Sequence, residues 1–171
     1  MTLEQLQKIA VNTKLARLEL FYPFLIKYMT QYEIDSKGRI SAFIAQALHE
    51  SGGLKYTAEI ASGKAYENRK DLGNVKVGDG VRFKGRGLIQ ITGRSNYAKI
   101  SASTGIDFLN YPELLETIEN ATMSACWWWN SRGLNKYADL GKFNDITKII
   151  NGGYNGMEER QKYYDLARKV L

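Results

Sequence analysis

The chain is 171 residues long, with 44% hydrophobic, 12% aromatic and 25% charged residues, which is the profile of one ordinary globular domain. Its 24 Lys and Arg against 18 Asp and Glu give a formal net charge of +6, which suggests nucleic acid, an acidic membrane surface or an anionic polymer as partner. The single cysteine excludes an intramolecular disulfide and the single histidine argues against a zinc site, so we expect neither a metal nor another cofactor.

The excess positive charge lies in the middle third of the chain. Residues 1–50 carry 6 basic and 5 acidic side chains, and residues 101–171 carry 8 and 9. Residues 51–100 carry 10 basic and 4 acidic side chains, a net charge of +6. This pattern has two explanations. It indicates either a solvated loop region without a function or a surface that binds an anion.

Apolar residues recur every three or four positions in the first third, which predicts helices over 2–10, 13–31 and 41–51. Pro23 lies inside the second helix and should kink or split it. Two glycines, Gly52 and Gly53, end the third helix, because glycine is favoured just beyond a helix C-terminus.

The stretch from Gly52 to Gly93 holds 9 glycines and almost no helical periodicity, so we predict a loop region with a short hairpin near 74–84. Helical patterns return afterwards, at about 94–103, 112–131, 142–150 and 156–170. The predicted fold is therefore mainly α-helical, with one long loop region after the third helix. Long loops in compact domains usually form active or binding sites.

The N-terminal segment alternates charged and apolar residues and lacks the features of a secretory signal peptide. No segment of the sequence approaches the roughly 18 uncharged apolar residues that a membrane span requires. We therefore expect no stable membrane insertion. If the chain acts outside the cytoplasm, another protein is expected to release it.

Three carboxylates near the third helix are candidates for acid–base chemistry. Glu50 stands at the predicted C-terminus of that helix, where the negative end of the helix dipole disfavours an ionised carboxylate, as a general acid requires. Glu59 and Glu67 follow in the loop region. A protonated and an ionised carboxylate on facing walls of a cleft are what glycoside hydrolysis requires, but exposed residues in surface ion pairs would give the same spacing.

Aromatic and basic side chains alternate in the loop region, among them Tyr66, Phe83 and Arg86. They could stack on bases and contact phosphates, or stack on sugar rings and hold an anionic polysaccharide. The glycines at 78–87 complete neither a phosphate-binding loop nor a dinucleotide motif. The run Trp127–Trp129 favours the core rather than a binding platform, because consecutive helical positions point in different directions.

Three blocks of sequence, 49–53, 83–97 and 149–153, resemble glycoside hydrolase family 19 in order and in spacing. The stretch 58–74 is similar to the bacteriophage endolysin branch of that family rather than to plant chitinases. The resemblance runs from about residue 38 to the C-terminus. It implies a lysozyme-like fold, mainly α within the α+β class, in which two helical lobes and a small β-hairpin flank a substrate cleft.

The resemblance also implies roles for individual residues. Glu50 matches the general acid and Glu59 the general base of an inverting mechanism, with Thr92 helping to hold the attacking water. Glu67 is a rival for the base, because it follows Glu59 in the same loop region. Further residues that the resemblance or the aromatic pattern brings to the substrate are Gln90, Asn96, Asn151, Arg160, Tyr66 and Phe83.

The expected function is that of a phage endolysin, a muramidase-type glycosidase that cleaves the β-1,4 N-acetylmuramic acid–N-acetylglucosamine backbone of peptidoglycan and lyses the host. Residues 1–171 would form one monomeric catalytic domain without a separate cell-wall-binding module. It would be made in the host cytoplasm and reach glycan strands of the wall through a holin pore. A chitinase acting on chitin oligomers is the nearest alternative, and a basic nucleic-acid-binding module is a remote one.

Overall fold

A computed structural model describes all 171 residues and shows a mainly helical chain, which confirms the predicted fold class. Three single turns of 3-10 helix (Lys64–Tyr66, Lys70–Leu72 and Pro112–Glu116) supplement nine α-helices. The helices are α1 Leu3–Ile9, α2 Leu15–Gln31, α3 Lys37–Glu50, α4 Asp79–Arg82, α5 Arg94–Thr104, α6 Ile118–Ser131, α7 Leu134–Asp139, α8 Phe143–Asn151 and α9 Met157–Val170.

Helix α3 forms the centre of the core. Its residues 40–48 are all buried, because α9 packs along it and α7 and α8 also contact it. A helix that is buried on every side needs apolar or small residues all round, and this one has them apart from Gln46. Ser36 caps its N-terminus by accepting the N–H of Arg39. The C-terminal residue, Glu50, thus emerges from the core on a rigid support.

Helix α2 continues through Pro23 without a break, so the alternative of two separate helices is wrong. The proline is exposed, whereas Phe21 and Leu25 on either side of it are buried. Packing of α2 against α6 holds the helix together even though proline removes one backbone hydrogen bond.

The predicted hairpin near 74–84 is also wrong. This segment folds around the buried carboxylate of Asp79 and then forms the short helix α4. Asp79 accepts the backbone N–H groups of Val75 and Lys76 at 3.1 and 3.0 Å, which bends the chain and prevents extended pairing. Antiparallel bridges form instead at Arg86, which pairs with Ala58 and Ile91.

Replacing Asp79 with Asn is expected to lower the free energy of unfolding by about 2 kcal/mol at pH 7. The hydrogen bonds from Arg94 hold the pKa of the Asp79 carboxyl at about 2, below its ordinary 3.8. A lowered pKa stabilises the fold at neutral pH, and this stabilisation is lost as the pH falls from about 4 towards 2. Urea unfolding at several pH values should therefore show wild type and variant converging in acid.

Asp71 provides the matched control, because it also pairs with an arginine, Arg69, but is exposed to solvent. Asp71→Asn should leave the free energy of unfolding nearly unchanged at every pH. An Asp79→Asn variant that kept wild-type stability at pH 7 would contradict the role given to this carboxylate.

Helix α6 carries the tryptophan run. Trp129 is fully buried, as predicted for a core residue. Cys126 is fully buried as well, and burial raises the pKa of its thiol well above the ordinary value. This cysteine is therefore not poised to act as a nucleophile. Trp127 and Trp128 are only partly buried, so the prediction of a core position holds in full for Trp129 alone.

None of the helices combines the length and the apolar composition that crossing a lipid bilayer demands.

Candidate active site

The carboxylate of Glu50 is held by a buried arginine. Arg160, 1% exposed in the first turn of α9, donates one Nη to Glu50 and the other to Gln46. Gln46 and Glu50 are four residues apart and so lie on one face of α3. Gln46 in turn donates to the hydroxyl of Thr147 in α8 at 2.7 Å. This chain of hydrogen bonds fixes the direction of the Glu50 side chain.

His49 ties the same two helices together from the neighbouring position. Its Nδ1 lies 2.6 Å from Oε2 of Glu159. Its ring packs against Gly156, where a Cβ atom would clash with the imidazole. Only glycine fits there, because the residue also has a φ of +70°. These contacts give His49 a structural role in joining α3 to α9.

Glu59 is placed by the loop region. The backbone N–H of Glu59 donates to the carbonyl of Gly85 at 3.0 Å. The ammonium of Lys84 donates to the backbone carbonyl of Glu59 at 3.1 Å. The Tyr66 hydroxyl donates to Oε2 at 2.8 Å. Burial, and then the hydrogen bond to this carboxylate, raise the pKa of Tyr66, so the phenol keeps its proton as a donor. The other oxygen, Oε1, is buried and has no hydrogen-bond partner in the protein.

Three candidate site residues converge beside Gly85. A Cβ atom built on this glycine would lie 2.7 Å from Gln90 Oε1, 3.1 Å from Glu59 Oε2 and 3.3 Å from Thr92 Oγ1. These side-chain oxygens therefore surround one point in the structure, and a side chain at position 85 would displace them. The Thr92 hydroxyl donates to the carbonyl of Gln90 at 2.9 Å, which keeps Oγ1 on this side of the loop.

The turn that presents Gln90 is strained and firmly closed. Gln90 has a φ of +53°, in the left-handed region that a residue with a side chain seldom adopts. Two backbone hydrogen bonds between Arg86 and Ile91, of 3.1 and 2.7 Å, close the turn on either side of it. The Gln90 side-chain amide donates to the carbonyl of Gly87 at 3.0 Å. Strain of this kind concentrates at functional sites, where the surrounding structure enforces it.

Three buried side-chain polar atoms make no hydrogen bond within the protein: Glu59 Oε1, Gln90 Oε1 and Asn151 Nδ2. All three belong to residues that the sequence singled out. A buried polar atom left unpaired is costly, and native proteins keep few of them. Glu59 and Gln90 meet beside Gly85, which indicates a place where a polar ligand completes the hydrogen bonding.

The two asparagines of the candidate set stand at helix ends. Asn96, in the first turn of α5, donates its amide to the carbonyl of Thr92 at 2.8 Å. Asn151 is the last residue of α8, before Gly152 turns the chain with a φ of +73°. Asn96 is thereby linked to the Glu59 side of the site through Thr92.

Three candidates occupy positions different from those expected. Phe83 is fully buried and packs edge-on against Tyr97, so its ring is not available to stack on a sugar. Tyr66 is a partner of Glu59 rather than an open platform. Arg160 is enclosed by protein groups and orients Glu50 instead of facing a ligand. Phe83 and Arg160 are enclosed by contacts from other helices, and Tyr66 is held by Glu59 in the same loop region.

Glu67 also has a structural task. Its two oxygens accept the backbone N–H groups of Gly78 and Gly80 at 2.6 and 2.8 Å. Both oxygens of the rival carboxylate are thus occupied by the loop, whereas Glu59 has one oxygen free of protein partners.

Gln46 is a functional residue that the sequence reasoning missed. It bonds both Arg160 and Thr147 and so supports Glu50 from within the core. Its position could have indicated this role, because Gln46 is a polar residue one helical turn before Glu50 in a largely apolar stretch. The chain contains no group of three or more His, Cys, Asp or Glu side chains that could hold a metal ion.

Known proteins share both this sequence pattern and this fold. Residues 27–139 match the family model of the family 19 glycoside hydrolases, described as chitinase class I. A glycosyl hydrolase family 19 domain-containing protein of Haemophilus influenzae is 32% identical over 160 residues, covering 75% of this chain and 78% of the relative. The acidic endochitinase SP2 of Beta vulgaris is 30% identical over 131 residues, covering 74% of this chain and 45% of its own length.

A solved structure has the same fold as this chain. The crystal structure of chitinase C from Streptomyces griseus superposes with a TM-score of 0.78 over 99% of this chain and 75% of its own, at 22% identity, which shows a shared fold. The matched segment contains Glu50, Glu59, Thr92 and the turn around Gln90. The chain belongs to glycoside hydrolase family 19, and it is a glycosidase.

Proposed function

We propose that this chain is a phage endolysin that hydrolyses the β-1,4 bond between N-acetylmuramic acid and N-acetylglucosamine in peptidoglycan, with inversion at the reacting carbon. The observation that carries the chemistry is the contrast between two carboxylates. Glu50 is anchored by Arg160 at the end of α3, and Glu59 keeps one oxygen free beside Thr92 and Gln90.

In this mechanism Glu50 acts as the general acid. It donates its proton to the glycosidic oxygen as the bond from that oxygen to C1 breaks. The hydrogen bond from Arg160 fixes the carboxyl group in position, so little ordering remains to be done when the substrate binds. Afterwards Glu50 takes up a proton from solvent and is ready for the next cycle.

Glu59 acts as the general base. A water molecule between this carboxylate and the sugar attacks C1 from the face opposite the leaving oxygen, and its proton passes to Glu59. We assign the proton to Oε1, because Tyr66 already occupies Oε2. The Thr92 hydroxyl and Gln90 Oε1 lie beside the carboxylate and would hold that water. An inverting site requires a separation of roughly 6.5–9.5 Å between its two carboxyl groups.

The charge of the middle third favours an anionic glycan. Three of the 10 basic residues in positions 51–100 form ion pairs with acidic partners: Arg69, Arg86 and Arg94. The other seven form no ion pair. All of these except Lys84 are exposed: Lys55, Lys64, Lys70, Lys76, Arg82 and Lys99. Peptidoglycan carries carboxylates on its peptide stems, whereas chitin is neutral. Long-range attraction would therefore concentrate the chain on the wall polymer.

Chitin is the second candidate substrate. Several relatives are named endochitinases, and the same two carboxylates would serve a bond between two N-acetylglucosamine units. The chain spans about half the length of those plant relatives.

The biological part of the proposal concerns release. We propose that the chain is a monomer made in the host cytoplasm, that it reaches the peptidoglycan through a holin pore, and that hydrolysis of glycan strands then lyses the cell.

Purified sacculi and chitin oligosaccharides compared side by side test the substrate. We expect suspensions of sacculi, and of cells stripped of their outer membrane, to lose turbidity. We expect the new reducing ends to be muramic acid, which is detected as muramitol after borohydride reduction. We expect kcat/KM on soluble chitin hexasaccharide to be at least about tenfold lower than on solubilised glycan strands of similar length, a difference of about 1.4 kcal/mol in transition-state binding. A preference for the chitin oligosaccharide, or reducing ends of N-acetylglucosamine only, would overturn the assignment.

A further inference from the structure

We propose that a groove between α5 and α6 is a distal subsite for a muramic acid unit of the glycan strand and the negatively charged peptide stem that it carries. This groove, which we call the tryptophan groove, has a volume of about 220 Å³ and is lined by Asn96, Lys99, Trp127, Trp128, Ser131 and Arg132. The inference rests on the proposed function and specifies where that substrate's negative charge is recognised.

Aromatic surface in the groove is suited to a sugar ring. Trp127 and Trp128 are partly exposed there, although the third tryptophan of the run is fully buried. The indole N–H of Trp129 donates to Asn135, whereas neither of the other two indoles donates to any protein group. Two large rings with free donors offer both an apolar face and polar edges to a carbohydrate.

The charge of the groove selects for an anion. Lys99 and Arg132 are exposed and form no ion pair, and no carboxylate is among the lining residues. The guanidinium of Arg132 lies 5.0 Å from the centre of the Trp128 ring, which holds the cation at the rim. A neutral sugar would leave both cations uncompensated, but a carboxylate of the peptide stem that muramic acid carries would pair with them.

Asn96 connects the groove to the candidate active site. Asn96 reaches from the groove to the carbonyl of Thr92, whose hydroxyl stands beside Glu59. On α6, the hydroxyl of Ser124 abuts Gly87 in the turn that presents Gln90, where a Cβ atom would clash with it. Trp127 and Trp128 follow Ser124 by three and four residues and so lie on the same helix face, about one turn of 5.4 Å further along.

Binding measurements with a charge-removing pair test the groove. In an inactive Glu50→Gln background, Lys99→Gln with Arg132→Gln should raise the Kd for solubilised, uncrosslinked glycan strands about tenfold. The Kd for the neutral chitin tetrasaccharide should change less than twofold. The matched control is Lys37→Gln with Lys136→Gln, which removes the same charge from exposed positions at the other end of α3 and on α7.

A ring variant separates stacking from charge. Trp128→Phe keeps an aromatic face but reduces its area, so we expect a smaller rise in Kd for both ligands and a loss of part of the tryptophan fluorescence change on binding. An unchanged Kd for the glycan strands in the Lys99/Arg132 pair, or an equal rise in the control pair, would overturn the inference.

The two proposals fail in distinguishable ways. If the wild-type chain does not hydrolyse sacculi, the proposed function is wrong, whatever the groove binds. If it hydrolyses sacculi and the Lys99/Arg132 pair retains the Kd of its Glu50→Gln background for glycan strands, the function stands and the tryptophan groove is not a subsite.

Discussion

Replacing Glu50 with Gln is expected to lower kcat on peptidoglycan about a thousandfold, because glutamine cannot donate the proton that the leaving oxygen needs. The amide oxygen can still accept a hydrogen bond from Arg160, so the variant should fold. Release of reducing ends from sacculi measures the loss, and circular dichroism during thermal unfolding measures the fold.

The control for this variant is Glu158→Gln on the surface of α9. Glu158 pairs with Lys162 at 2.7 Å, and both side chains are more than two-thirds exposed, so neither activity nor stability should change. Lysis by Glu50→Gln at a rate near that of wild type would remove Glu50 from the mechanism. A Glu50→Gln variant that failed to fold would be replaced by Glu50→Asp, which keeps the charge towards Arg160 but withdraws the carboxyl from the substrate.

Replacing Glu59 with Gln is expected to cause a loss of similar size, because the attacking water then has no carboxylate to accept its proton. The Tyr66 hydroxyl can donate to the amide oxygen as it does to the carboxylate, so stability should change little. In Glu59→Ala, added azide should restore turnover and yield a glycosyl azide, since this nucleophile needs no base. Formation of the α-anomer from the β-linked substrate would demonstrate inversion.

Glu67→Gln provides the decisive comparison. Loss of the charged acceptor for the N–H groups of Gly78 and Gly80 should lower the free energy of unfolding by about 1–2 kcal/mol, with kcat reduced less than tenfold. The two variants are therefore expected to have opposite effects. Glu59→Gln lowers kcat, and Glu67→Gln lowers the free energy of unfolding. A thousandfold loss of kcat in Glu67→Gln, with Glu59→Gln retaining activity, would transfer the role of base to Glu67.

Local patterns allowed most of the helices to be predicted from the sequence. Helix α3 shows an apolar pattern and a terminating glycine pair, and both signals depend on neighbours within a few residues. The position of Glu50 at its C-terminus follows directly. The segment 74–84 was not predictable in the same way, because its shape depends on Asp79 meeting Arg94, 15 residues further along the chain.

In the candidate site, the residues themselves were predictable from the sequence, but their partners were not. Glu59 and Gln90 were identified by residue type and resemblance, and the structure places their oxygens beside Gly85. Which partner each side chain would find was not predictable, because the contacts are long-range. Phe83 has basic neighbours that suggest a surface, yet Arg94 stacks on its ring from the outside and encloses it in the core.

The link from Arg160 to Glu50 joins residues 110 positions apart. The Glu50 side chain is therefore not oriented until α9 has docked along α3. A ribosome-bound chain that lacks this helix would contain both carboxylates and the whole loop region but would hold Glu50 without its anchor. Cleavage that removed α9 would leave both carboxylates in the chain but would take away the partner that orients Glu50.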